Sequence, residues 1–137
     1  MELLTSGTLR TLIQAHEPPG ISLYQPTHRH HPDNQQDPIR FRNLVWAIED
    51  SLAQKYSSRD TRALLAPIEA LKADAAFWNH TLDGLAVLAA PELFRVFQFQ
   101  RPVREMAVVA NSFHVKPLLR VVQTLRRRSA TNGPNRT

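Results

Sequence analysis

Three histidines and two aspartates stand close together between Pro26 and Asp37, and they have the clearest capacity for chemistry in this chain. They are His28, His30, His31, Asp33 and Asp37. Histidine together with carboxylate can ligate zinc or another transition metal. The spacing matches no established metal-ligand motif, and adjacent histidines in an extended loop point in different directions. We therefore expect no metal site and no cofactor.

Acid–base catalysis would need a histidine or carboxylate within hydrogen-bond reach of a substrate. His28, His80 and His114 border predicted strand or helix ends, but nothing in their spacing brings them together. The chain has no cysteine, which excludes thiol catalysis and disulfides, and its four glycines are isolated from one another, which excludes a phosphate-cradling glycine loop. The sequence thus predicts a protein that is not an enzyme. A small hydrolase that uses the loop histidines and Asp33 is the less favoured alternative.

The charge of the chain favours a binding function. Its net charge is +5, and 17 basic residues face 12 acidic ones. All the basic residues except Lys55, Lys72 and Lys116 are arginine, which binds phosphate bidentately and stacks on nucleic-acid bases. This composition favours an RNA or ribosome partner, although a GC-rich genome would produce the same bias. A DNA partner is not expected. The candidate phosphate contacts are Arg42, Arg126, Arg127 and Arg128.

The helix-forming segments are recognised by the period of their apolar residues. The first is predicted from Leu9 to His16, with Thr5 or Ser6 as its cap. The second has Asp37 as its cap, Pro38 at its first position and an apolar face, while a second stripe of Ile39, Trp46 and Ala53 lies opposite. Trp46 is therefore a candidate docking surface. The apolar face consists of Phe41, Leu44, Val45, Ile48 and Leu52.

Two further helices and four strands complete the prediction. Ser57 opens a helix that Pro67 should kink or split, and the last helix is expected from His114 to Leu125. The predicted strands are Ile21–Gln25, Leu85–Ala90, Phe94–Phe99 and Glu105–Ala110, and the second and third of them form a hairpin. We therefore expect an α+β fold, with a small mixed or antiparallel sheet of about four strands packed with about four helices in a single domain. Residues 126–137 are predicted to be a disordered basic tail.

Membrane association is not expected. The longest apolar stretch, Leu85 to Pro91, is far shorter than the ~20 residues that span a bilayer. The N-terminal residues lack the positive charge and continuous apolar run of a signal peptide. A cytoplasmic location is the resulting expectation.

Three stretches of the chain resemble the N-terminal domain of the third subgroup of the bacterial archaeo-eukaryotic release factor family. The first stretch begins with Ile21, Ser22, Leu23, Tyr24, Pro26, Thr27, His28 and Arg29, and continues with Gln35, Gln36, Asp37, Ile39, Arg40, Asn43 and Leu44. The second comprises Phe77, Trp78, His80, Asp83, Gly84, Leu85 and Ala86. The third comprises Phe113, His114, Lys116, Pro117, Leu118 and Leu119.

The resemblance implies a three-domain protein that acts on ribosomes, with a ribonuclease-H-like second domain and an RNA-binding third domain. Only the first of these domains is matched, and the resemblance extends from about Leu9 to Leu119. The predicted N-terminal release-factor-like domain comprises residues 1–125. The Gly-Gly-Gln loop and the Asn-Ile-Lys-Ser element of relatives that terminate translation are both absent. The implied function is a non-catalytic module that contacts RNA, the ribosome or the missing downstream domains. A truncated remnant without independent activity is the alternative.

The predicted binding surface lies where the first strand connects to the second helix. It consists of Thr27, His28, Arg29, Gln36, Asp37, Arg40 and Asn43. In the purely structural interpretation of the same residues, Asp37 caps the helix and Arg40 pairs with Asp37 or Asp33.

Overall fold

A computed structural model of the chain describes residues 6–14 and 17–122. The helices are α1 (Ser6–Ile13), α2 (Asp37–Ala53), α3 (Ser58–Lys72), α4 (Ala75–Trp78) and α5 (residues 116–122), and the residues Asp33–Gln36 form a 3₁₀ turn. The strands are β1 (Gly20–Pro26), β2 (Gly84–Ala90), β3 (Leu93–Phe99) and β4 (Met106–Ala110). The predicted α+β class, single domain and four strands are confirmed. The predicted residues Thr5, His16, Leu125 and 126–137 lie outside the described part of the chain.

The four strands form one antiparallel sheet in the order β3-β2-β1-β4. β2 and β3 form the predicted hairpin, in which Ala90 pairs with Leu93 and Gly84 pairs with Phe99. β1 lies between β2 and β4, so that Tyr24 faces Ala86 on one side and Met106 on the other. The two central strands, β1 and β2, are therefore covered on both faces and buried along almost their whole length.

The alternation of side chains along the strands supplies two separate cores, one on each face of the sheet. Ile21 and Leu23 point to the face that α2 and α3 cover. Tyr24 points to the opposite face, where it joins a cluster with Leu12 of α1 and Leu118 of α5. The domain is thus a three-layer arrangement in which the sheet separates α2 and α3 from α1 and α5.

α2 has the predicted division into two faces. Its five predicted apolar residues are buried against the sheet, and burial of each such side chain contributes roughly 1.5–3 kcal/mol. On the opposite side, Ile39 and Trp46 are 51% and 53% exposed. These two are the only large apolar side chains that are exposed among the residues described here.

Two details of the helices differ from the prediction. Gln36 is the N-cap of α2, and Asp37 is its first residue, with its side chain turned inward instead of capping the helix. Pro67 does not split α3, which continues to Lys72. Leu64 and Ile68 keep the helix packed on the sheet, and their burial offsets the roughly 3 kcal/mol cost of an internal proline. The predicted opening of α3 is confirmed, since Ser57 Oγ accepts a hydrogen bond from the N–H of Asp60.

No helix in the described ranges is long and apolar enough to cross a membrane.

Candidate functional site

Asp37 connects α2 to the loop that follows β1. Its carboxylate is fully buried and accepts a hydrogen bond from the N–H of His28 at 2.8 Å through Oδ2, while Oδ1 lies 2.8 Å from Nδ1 of the same residue. An ionised carboxylate only accepts hydrogen bonds, so Nδ1 carries the proton. The buried Gln25 side chain donates to the Asp37 carbonyl at 3.1 Å. The start of α2 and the loop are therefore fixed to each other.

The same loop is also attached to the segment that leads into β2. Thr27 N–H donates to the Asp83 carbonyl at 3.0 Å, and the Thr81 hydroxyl donates to the His28 carbonyl at 2.6 Å. Arg29 forms a bidentate ion pair with Asp83, in which Nε and Nη2 each donate a hydrogen bond at 3.0 Å. The hydrogen bond from Arg29 lowers the pKa of Asp83 and raises the pKa of Arg29. The position of Arg29 is consequently set by a residue 54 positions further along the chain.

The outer side of α2 presents an aromatic and cationic surface, which we call the α2 platform and define as Ile39, Arg42, Asn43 and Trp46. The Arg42 guanidinium lies over the Trp46 ring, 5.2 Å from its centroid. Asn43 and Arg42 are exposed, as are the two apolar members. An exposed tryptophan with a guanidinium above it can stack on a flat, electron-rich group such as a nucleobase.

A cleft of about 700 Å³ opens beside the first turn of α2. The loop and 3₁₀ turn form one wall, and the end of α3 with α4 forms the other. None of the described residues that line it is acidic. Its polar lining includes Arg29, His30, His31, Asn34, Lys72 and Asn79.

A second cavity of about 570 Å³ lies between α3 and the β2–β3 turn. Prolines and aromatic side chains, including Pro67 and Phe94, form part of its wall, and Asp60 and Glu92 also line it. None of the predicted site residues contributes to it.

The predicted binding residues separate into two groups. Thr27, His28, Arg29 and Asp37 belong to one hydrogen-bonded assembly at the end of β1, whereas Gln36 and Asn43 are exposed on the 3₁₀ turn and α2. The structural interpretation of Arg40 is wrong, because Arg40 pairs with Glu105, just before β4, at 2.8 Å and not with either aspartate. The candidate contacts Arg126, Arg127 and Arg128 lie outside the described residues.

The three histidines considered for acid–base chemistry make separate contacts. His80 Nδ1 lies 2.9 Å from the Ala76 carbonyl. The backbone of His114 is bound to β1: its N–H donates to Ser22 Oγ at 2.9 Å, and its carbonyl accepts from the Tyr24 hydroxyl. Burial raises the pKa of Tyr24. Across the described residues, no group of three or more histidines and carboxylates could hold a metal ion.

Lys72, Asn79 and Asp83 join the site without having been predicted as part of it. Lys72 ends α3, Asn79 follows α4, and Asp83 precedes β2. Lys72 and Asn79 reach the site because α3 and α4 pack next to α2, and Asp83 reaches the loop because Pro26 pairs with Gly84 in the sheet. No local spacing in the sequence signals either contact.

No protein-family model matches this chain, and the comparison with curated proteins also gives no match. The resemblance to the release-factor family therefore stays a prediction that depends on the three stretches quoted above.

Proposed function

We propose that this domain is a non-catalytic RNA-binding module of a cytoplasmic, ribosome-associated protein of the release-factor type. The observation that carries the proposal is the α2 platform, where Trp46 is 53% exposed with Arg42 placed over its ring. Leaving a tryptophan in water forgoes much of the free energy that its burial would provide. A bound partner that covers the ring recovers this free energy.

RNA is the partner that best fits the chemistry of the platform. Proteins bind single-stranded RNA by stacking unpaired bases on aromatic rings and on guanidinium planes, and each stacked base contributes about 1–3 kcal/mol. Asn43, which lies within the same face, offers an amide that can both donate to and accept from a base edge. The excess of arginine over acidic residues adds a general attraction to phosphates.

In this proposal the His28–Asp37 pair has a positioning role. It holds the loop, and with it Arg29, next to the first turn of the helix that carries the platform. Thr27 and Thr81 act in the same way, because their hydrogen bonds join the loop to the segment before β2.

The test is binding of a single-stranded RNA oligonucleotide, measured by fluorescence anisotropy at two salt concentrations. We expect the affinity to fall as salt rises, and Trp46→Ala to weaken binding by roughly 5- to 100-fold, the equivalent of one lost stacking contact. Trp46→Phe is the matched control, which keeps an aromatic face and should retain most of the affinity.

Two results would contradict the proposal. One is the absence of any salt-sensitive association with RNA. The other is unchanged RNA affinity in Trp46→Ala, which would assign the platform to a protein partner such as a downstream domain.

A further inference from the structure

We propose that the cleft between the loop and the end of α3 is a phosphate-binding site, which takes a phosphate group of an RNA strand or of a free nucleotide. The inference rests on the proposed RNA-binding function and names the chemical group that this part of the surface would recognise. It concerns residues of the loop and of α3 that lie outside the α2 platform.

The first argument is the set of hydrogen-bond donors. Arginine, lysine and protonated histidine only donate, and the side-chain amides of asparagine and glutamine can donate as well. Arg29 uses Nε and Nη2 on Asp83, whereas Nη1 has no partner among the described residues. Neither ring nitrogen of His30 has a partner there either. The cleft thus contains donors that its own protein groups leave unused.

The second argument is the position of the negative charges. Asp83 and Glu69 pair with Arg29 and Lys72, at 3.0 and 2.6 Å respectively, but neither carboxylate lines the cleft. Each carboxylate therefore holds a cation in place while the lining itself remains free of acidic groups. The opposite charges within each ion pair partly neutralise each other. We therefore expect a single inorganic phosphate to bind weakly and a strand with several phosphates to bind more tightly.

The third argument is continuity with the α2 platform. Pro38 lines the cleft, and Arg42 of the platform lies four residues further along α2, so that the two residues share one face of the helix. The cleft and the platform are thus parts of one surface. An RNA strand with a base on Trp46 would find phosphate donors along the same side of the domain.

The experiment is an NMR titration of the full chain with three probes: inorganic phosphate, a nucleoside 5′-monophosphate and a single-stranded RNA oligonucleotide. We expect the amide resonances of the loop and of the α3–α4 junction to shift with all three probes. Tightest binding of the oligonucleotide identifies an RNA strand as the ligand, and tightest binding of the monophosphate identifies a free nucleotide. Resonances of the cleft that move with none of the probes would overturn the inference.

Variants of His30 and Lys72 separate the cleft from the rest of the surface. Lys72→Gln should weaken RNA binding several-fold and reduce the slope of log affinity against log salt by about 0.7, the value for one lost phosphate contact on a single strand. His30→Ala should reduce the phosphate-induced shifts. Lys55→Gln is the matched control, because Lys55 is exposed and does not line the cleft. We avoid Arg29 in this test since its loss would also release the loop from Asp83.

The two proposals fail in different ways. RNA affinity that falls in Trp46→Ala but is unchanged in Lys72→Gln, with an unchanged salt slope, overturns the phosphate site alone. Phosphate-induced shifts in the cleft without any RNA association overturn the RNA-binding function and support the site as one for free nucleotides.

Discussion

At the scale of single residues, Asp37 bears the largest electrostatic cost. It is the only charged side chain in the described ranges that is fully buried. A buried carboxylate is stable only when hydrogen bonds replace the water it has lost. Asp37 has these from the N–H of His28 and from its ring. The carboxylate is therefore unavailable as a helix cap, and Gln36 occupies the cap position without a side-chain hydrogen bond.

We predict that Asp37→Ala lowers the free energy of unfolding by about 3 kcal/mol, because it removes two charge-assisted hydrogen bonds and leaves a backbone N–H without an acceptor. Asp37→Asn should lose less, since an amide can still accept from that N–H and can donate to Nδ1 when the neutral imidazole takes its other tautomer. Urea unfolding followed by circular dichroism measures both variants. Asp33→Ala is the matched control, because Asp33 is exposed. A loss in Asp33→Ala equal to that in Asp37→Ala would refute this account of Asp37.

The sequence alone indicated which residues gather at this site more reliably than it indicated their partners. Thr27, His28, Arg29 and Asp37 are close in the chain, so a single loop was sufficient to group them. The structural interpretation pairs Arg40 with Asp37 or Asp33, but Arg40 pairs with Glu105, which is 65 positions away. Partners at such separations depend on the strand order, which side-chain alternation does not reveal.

At the scale of elements, the period of the apolar residues was informative wherever one face of an element is buried. The two faces of α2 and the β2–β3 hairpin were predicted for this reason and are confirmed. Pro67 shows the limit of local rules, because packing of α3 on the sheet outweighs the tendency of an internal proline to break a helix. The pairing of β4 with β1 could not be predicted, because 79 residues of the chain lie between the end of β1 at Pro26 and the start of β4 at Met106.

Gly84 begins β2 at a place where two backbone segments come close together. A Cβ added at this position would lie 2.4 Å from the backbone carbonyl oxygen of Arg101 and 3.3 Å from the Phe99 ring. We predict that Gly84→Ala destabilises the domain by about 1–3 kcal/mol, because the segment after β3 has to move away. Gly84→Ser carries the same Cβ and should lose at least as much. Thermal unfolding measures both, and an unchanged melting temperature in either variant would refute the predicted clash.

At the scale of the whole molecule, the loop after β1 has contacts with parts of the chain that are distant in sequence. It is bound to α2 through Asp37 and to the segment before β2 through Thr81 and Asp83. These contacts connect the α2 layer to the end of the sheet where β1 finishes and β2 begins. The polar surface of the domain is therefore formed by its tertiary structure. The free energy of unfolding of the domain should depend on the charge state of the groups that hold the loop.

Asp83 allows this dependence to be measured. Its pKa is lower in the folded protein than the usual value of about 3.9, because Arg29 donates to the charged form. The pair therefore contributes its full stability above pH 4, and this contribution is lost as pH falls through the lower folded value. We predict that Asp83→Asn is less stable than the parent at pH 7 and that the difference in stability between the two proteins is smaller at pH 2. Urea unfolding at both pH values gives the comparison, with Asp33→Asn as a control that should match the parent throughout. A deficit in Asp83→Asn that is as large at pH 2 as at pH 7 would mean that packing, and not the ion pair with Arg29, is what Asp83 provides.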